Sequence, residues 1–143
     1  MIKEAPESVH VFIKNSIHRK FLFILRDDIS TIVYPNTWTI TGGYVDINEK
    51  PIDAIKRETL EEIGLELDRF RFLSKTLILK DEHNAPIHKD VYWYYGETVA
   101  KIDEIILTEG QLAEYITLDQ AIERDTVRPI KEYVIQNRSI LEN

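Results

Sequence analysis

Val9, Val11 and Ile13 share one phase of a two-residue alternation with His10, Phe12 and Lys14, which predicts a strand. Asn15 to Arg19 reads as a turn, and Phe21, Phe23 and Leu25 resume the alternation, so a hairpin partner is expected. Arg26 to Asn36 is mixed and ends in Tyr34-Pro35-Asn36, a loop signature. Trp38 to Thr41 reads as a short strand stopped by Gly42-Gly43. From Pro51 the apolar period becomes helical. Proline suits a first turn, where a missing N–H costs least, and Gly64 is a natural stop after about Ile63.

Leu67 to Leu79 is rich in Phe, Leu and Ile and predicts another strand, followed by a polar loop from Asp81 to Lys89 that carries His83, Pro86 and His88. Val91 to Val99 is the most strand-like stretch, with Tyr92, Trp93, Tyr94 and Tyr95 in a row. Alternation sends one pair of these rings into the core, Trp93 with it, and leaves the other to stack on a base or cover the helix. Lys101 to Gly110 reads as a linker with an apolar centre at Ile105 to Leu107. Glu114 to Thr117 predicts a last short strand, Leu118 to Glu123 a helical turn, and Pro129 to Leu141 a terminal helix with Ile130, Val134 and Leu141 on one side. No repeat, low-complexity tract or domain break interrupts this order. Strands, helix, strands, helix predict an α/β domain in which helices pack on a mixed sheet.

At 143 residues and 43% apolar content the chain has the size and composition of one domain with a real core. Its 18 basic and 25 acidic residues leave a net charge of −7, which argues against non-specific binding to nucleic acid polymers or anionic membranes. A small anionic substrate stays compatible with that charge, because a bound metal inverts the local field. The absence of cysteine removes disulfides and cysteine-based zinc sites. With no secretory signal at MIKEAPESVH and no apolar run long enough to span a bilayer, a soluble, cytoplasmic protein is expected.

The helix beginning at Pro51 changes the picture most. On its wheel Ile52, Ile55, Thr59 and Ile63 form a stripe that faces the sheet, with Leu60 at the edge. Glu58 and Glu62 are four apart and stack, and Glu61 flanks both. Like charges at this spacing repel, and acid near a helix C-terminus opposes the macrodipole. The acidic face also lies beside the buried stripe rather than opposite it, at the edge of a cleft between helix and sheet. A divalent cation would offset the repulsion, and hard oxygen donors suit magnesium or manganese. Taken alone, the acids also fit a solvated helix end that binds nothing.

The flanking residues narrow this choice. Gly43, Glu49, Arg57-Glu58, Glu61-Glu62 and Gly64-Leu65 stand in an order and spacing that resembles the Nudix box, over 23 of the 143 residues. Two positions depart from the usual pattern: Thr59, where relatives carry an aliphatic residue, and Thr41, where many have proline before the double glycine. Neither removes a ligand, and the Thr59 hydroxyl is expected to bond the Ile55 carbonyl one turn back. The resemblance implies one Nudix domain over residues 1–143, an α/β/α sandwich, and magnesium-dependent hydrolysis of a nucleoside diphosphate linked to another group. Carried over by position, Glu58 and Glu62 are the principal metal ligands. Glu61 is a further ligand or a base that orients water, and Gly43 offers a backbone carbonyl to the metal. Arg57 and Glu49 hold the glutamates in place. The base is not fixed in the family, and Glu109, in Thr108-Glu109-Gly110-Gln111, is the candidate for a distal ligand or base, with Glu97 and Glu104 as alternatives.

Of the remaining residues, Arg26 and Tyr34 are candidates for the substrate mouth, together with His88 as a phosphate contact. His83 and His88 lack further ligands at zinc spacing. His10 and His18 read as a strand and a turn residue. A nucleoside triphosphate or a nucleotide sugar is the preferred substrate class. Asp81 stands where ADP-ribose-type members place proline, and no tyrosine marks a dinucleoside-polyphosphate type. The rival reading is a Nudix-fold nucleotide-binding or regulatory module without catalysis. Homodimers are common in the family.

Overall fold

The computed structural model describes residues 2–143, which form eight strands, a single 3₁₀ turn at Ile102–Glu104 and three α-helices. The strands are β1 (Lys3–Glu4), β2 (Ser8–Asn15), β3 (Lys20–Leu25), β4 (Trp38–Thr39), β5 (Thr41–Tyr44), β6 (Phe70–Lys80), β7 (Pro86–Thr98) and β8 (Leu112–Ile116). The helices are α1 (Pro51–Ile63), α2 (Leu118–Glu123) and α3 (Arg128–Glu142). All strands join one mixed, open sheet whose central path runs β1-β7-β2-β3-β4. β7 lies parallel to β1 and β2, and the other pairings are antiparallel.

Each face of the sheet buries its own core. Val9, Val11, Ile13, Leu22, Ile24 and Tyr94 pack on Ala54, Ile55 and Ile63 of α1. The opposite phase of the same strands, Phe12, Phe21, Phe23, Trp93 and Tyr95, packs on α2 and α3 through Leu118, Ala121, Ile130, Tyr133 and Val134. The aromatic run of β7 is thus divided by its pleat: Trp93 and Tyr95 face α3, while Tyr92 and Tyr94 join the α1 side. Trp93 stacks on Tyr133 with ring centroids 4.1 Å apart. Such a two-sided apolar sheet needs a helical layer on each face, and the result is an α/β/α sandwich. Among the described residues no helix is long and apolar enough to cross a membrane.

α1 spans the residues that its periodicity and its flanking proline and glycine predict. Gly64 ends it at φ 70°, donating to the Leu60 carbonyl at 3.0 Å, a left-handed stop that glycine adopts without strain. The buried Thr59 hydroxyl donates to the Ile55 carbonyl at 2.6 Å, as the sequence leads one to expect.

Two expectations fail, and one strand has no signal in the sequence. The double glycine does not stop a strand: Gly42 and Gly43 lie inside β5, opposite His10 and Val9 of β2. The loop from Asp81 to Lys89 shrinks to residues 81–85, because β6 runs on to Lys80 and β7 starts at Pro86. Polar side chains there hide a strand whose backbone is satisfied by its neighbours. β1 went unrecognised in the sequence. Its two residues pair with Ile87 and His88, and so short an element carries no period.

Candidate active site

β3 and β5 share one edge of β2, β3 at its C-terminal end and β5 at its N-terminal half. The cleft opens beside β5, where α1 brings its acids against the sheet. A Cβ at Gly43 would stand 2.4 Å from the carboxyl carbon of Glu58. The glycine is therefore a seat for that carboxylate, which rests directly on the β5 backbone. Gly42 answers to a different constraint, since a Cβ there would lie 2.3 Å from both the Val9 carbonyl oxygen and His10 Nδ1.

Arg57 organises the near end of the acidic face. Its Nε and Nη2 donate to the two Glu49 oxygens at 2.9 and 3.0 Å. Nη1 donates to Glu58 at 2.9 Å and to Glu61 at 3.2 Å, and Nη2 also reaches the Tyr44 carbonyl at 3.1 Å. Hydrogen bonds from Arg57 and from the Asp46 amide hold the Glu49 carboxyl down to about 2. One guanidinium thus ties the loop before α1 to the helix and orients two box glutamates.

Glu58 and Glu62 behave differently from Glu49. Burial pushes the Glu58 carboxyl up, opposed by Arg57. Burial, then the charge of Glu58, then that of Glu109 push Glu62 up to about 8, opposed by the Gly42 backbone and Arg26. At that value the Glu62 carboxyl keeps its proton at neutral pH until a cation displaces it.

Glu109 reaches Glu62 through the end of the helix. The last carbonyls of α1 have no partners within the helix. The Ile106 and Thr108 amides supply them, donating to the Ile63 and Glu62 carbonyls at 3.0 and 3.1 Å, and the Thr108 hydroxyl donates to the Glu61 carbonyl at 3.0 Å. On the other side Gly110 takes φ 98° against β3. A Cβ there would be 2.8 Å from Ile24 Cγ2. Pinned at both sides, Glu109 faces the same hollow as Glu62 and Arg26.

The cleft above these acids has a volume of about 300 Å³. Arg26, Tyr34, Gly43, Glu62 and Glu109 all line it, so the structure gathers these sequence candidates in one place. His88 lies elsewhere: its Nδ1 is 2.9 Å from Glu4 at the β1 edge. Glu97 and Glu104 also stand apart. Glu97 is at the far end of β7, beside Lys14, and Glu104 accepts from the Lys101 amide.

Sequence reasoning missed His10 and Lys89 as cleft residues. His10 stacks on Trp93 with centroids 5.3 Å apart. Burial first, then Lys89, drive its pKa down to about 3, so it presents a neutral ring at neutral pH. The available signal was parity: His10 shares with Phe12 the phase of β2 that faces α2 and α3, and a polar residue on an apolar face is unusual.

Carboxylate and carbonyl oxygens are the donor type that a hard divalent ion takes. Among the described residues no three acidic or histidine side chains converge closely enough to enclose an ion. Glu62 and Glu109 line the cleft with Gly43, and Glu58 rests against Gly43 without lining it, whereas Glu61 is largely exposed and turned toward Arg57.

Comparison with known proteins bears on the family and the fold. A NUDIX domain model matches residues 5–137. The chain belongs to the NUDIX family. It is 38% identical over 66 residues to the m7GpppN-mRNA hydrolase NUDT17 of Danio rerio, a match that takes in 46% of this chain and 22% of that protein. The fold is also that of a MutT protein from Methanosarcina mazei Go1, with a TM-score of 0.78 at 17% identity, covering 99% of this chain and 98% of the other. The E. coli dihydroneopterin triphosphate pyrophosphohydrolase superposes with a TM-score of 0.75 at 17% identity, over 95% and 97% of the two chains.

Proposed function

We propose that this NUDIX protein is a divalent-metal-dependent pyrophosphohydrolase that cleaves the diphosphate of a nucleotide joined to another group, a nucleoside triphosphate or a nucleotide sugar in the first instance. The observation that carries the reading is the convergence of Glu62 and Glu109 with Arg26 at one cleft, beside a Glu58 carboxylate seated on Gly43. The similarity to an mRNA cap hydrolase supports the same class of bond, and the fold is shared with a triphosphate pyrophosphohydrolase.

Glu58 and Glu62, with the Gly43 carbonyl, would hold the ion. When bound, magnesium or manganese polarises the phosphoryl oxygens and makes a water more acidic. Arg57 fixes the direction of Glu58 through the Glu49 clamp. Glu109 accepts the proton of the attacking water. That water oxygen forms a bond to phosphorus, the bridging P–O bond breaks, and its electron pair leaves with the departing phosphate. Arg26 balances charge that develops on the phosphoryl oxygens.

A panel of nucleoside triphosphates and nucleoside diphosphate sugars, assayed with magnesium for phosphate and nucleotide release, tests the reading. Turnover of at least one member, reduced a hundredfold or more in Glu62→Gln and Glu58→Gln with the fold retained, is the expected result. Tight nucleotide binding with no turnover of any member would favour a catalytically silent module instead.

A further inference from the structure

The cleft does not end at the acids. Behind them a hollow of about 240 Å³ brings Arg26, Asp27, Glu62 and Glu109 together. At the opposite end a hollow of about 320 Å³ lies beyond Tyr34, Tyr44 and Lys89, which line both it and the central cleft. Glu62 and Glu109 do not reach this far hollow. Its own charges are Lys3, Lys80 and Lys89 against Asp81 and Glu82.

Both acids are already engaged. Asp81 accepts from the His83 and Ala85 amides, each at 2.9 Å, and Glu82 accepts from the Tyr34 amide at 3.2 Å. Lys89 is not: among the described residues its ammonium has no ion pair and no hydrogen bond, and its near neighbour is the face of Tyr44, 5.4 Å away. Asp90, beside it in sequence, pairs with Lys75 across the strand at 3.6 Å. Burial lowers the Lys89 pKa, the mark of an ammonium that has given up water without gaining a counter-ion. A half-buried cation left this way is a strong site for an anion.

The diphosphate cannot serve as that anion if it sits over the acids, where Arg26 and a bound cation meet its charge. The far hollow needs another. On the hydrolase reading above, we propose that the substrate carries a second anionic group, a phosphate or carboxylate outside the scissile diphosphate, and that Lys89 binds it in the far hollow. His10, stacked on Trp93, lines the central cleft that joins the two hollows. Lys89 then determines specificity: it selects among diphosphate-linked nucleotides for those charged at both ends.

Matched pairs test this. UDP-glucuronate differs from UDP-glucose by a carboxylate, and coenzyme A from its dephospho form by a phosphate. With magnesium, the parent protein should prefer the anionic member of at least one pair by about tenfold or more in kcat/KM, mostly through KM, as a charge-assisted hydrogen bond provides. The pair that responds distinguishes carboxylate from phosphate. Lys89→Met should bring the ratio near one, and Lys89→Arg should keep it. Calorimetry with the same pairs in chelator reads binding without hydrolysis. Binding that favours the anionic member through Lys89, with no turnover in magnesium, would support the anion site and remove the hydrolase reading. Hydrolysis of both members alike, or a preference unchanged in Lys89→Met, would overturn the anion site and leave the hydrolase standing. Neither turnover nor binding of any member also overturns it.

Discussion

Arg57 and Glu49 meet through two parallel hydrogen bonds of 2.9 and 3.0 Å, and the same guanidinium reaches Glu58 at 2.9 Å. The fork, not the charge alone, connects the loop before α1 to the acid that rests on Gly43. Arg57→Lys retains the charge and loses the planar geometry. We expect kcat to fall roughly 10- to 100-fold, the usual effect of losing an outer partner of a metal ligand, while the thermal midpoint shifts little. Steady-state kinetics beside a melting curve checks it. Full activity in Arg57→Lys would mean that Glu58 is oriented by the β5 backbone alone.

The two glycines of β5 should separate by phenotype. In Gly43→Ala the new methyl displaces the Glu58 carboxylate, a flexible group with room to turn away, so activity falls tenfold or more while folding survives. In Gly42→Ala the methyl meets the rigid Val9 carbonyl, and the fold should lose about 1–3 kcal/mol. Paired denaturation and turnover measurements decide this. A Gly43→Ala protein with parental activity would contradict the seat assigned to Glu58.

Glu62 gives stability a pH dependence of known sign. Its carboxyl is raised from 4.5 to about 8 in the folded, metal-free protein, so the folded state binds the extra proton. Its contribution is complete below about pH 4.5 and is lost as pH rises through about 8. The Glu62→Gln variant lacks this loss. The difference in thermal midpoint between Glu62→Gln and parent, measured in chelator, should therefore grow across that window and stay flat below it. Metal affinity of the parent should rise over the same range, because the ion competes with a proton. A midpoint difference independent of pH would show Glu62 ionised throughout.

Thr59→Val tests the departure from the family pattern. The hydroxyl is buried and its single partner is the Ile55 carbonyl at 2.6 Å, which also accepts within the helix. Removing it leaves no orphaned group, so the change in unfolding free energy should be under about 1 kcal/mol in either direction. Chemical denaturation would reveal a larger loss if the hydroxyl held the helix in place.

The elements read most fully from sequence are those whose signals are local. α1 announced itself by a proline, a stripe of Ile52, Ile55, Thr59 and Ile63, and a terminal glycine, because helix bonds and caps lie within a turn of each residue. α2 was likewise visible at Leu118 to Glu123. The losses are at strand ends. Nothing local in Pro86 to Asp90 marks a strand, since its order comes from pairing with β6 and, through Ile87 and His88, with β1. The same holds for Gly42-Gly43, whose punctuation value in a lone sequence is opposite to its role opposite β2.

The sequence by itself determined the arrangement of the candidate residues along α1: which carboxylates stack, which arginine accompanies them, and that the acidic face borders the buried stripe, all consequences of a 3.6-residue period. Only the tertiary structure decided what stands across from those acids. Glu109 arrives because unpartnered helix carbonyls capture the Ile106 and Thr108 amides. His10 and Lys89, from strands 79 positions apart that are joined in the sheet, enter the cleft because pleating and pairing, not chain proximity, place them there. Pairing of distant strands is cooperative and non-local, so Arg26, Tyr34 and Glu109 could be named from sequence as separate candidates, but their meeting with His10 and Lys89 at one cleft had no signature within any one stretch of the chain.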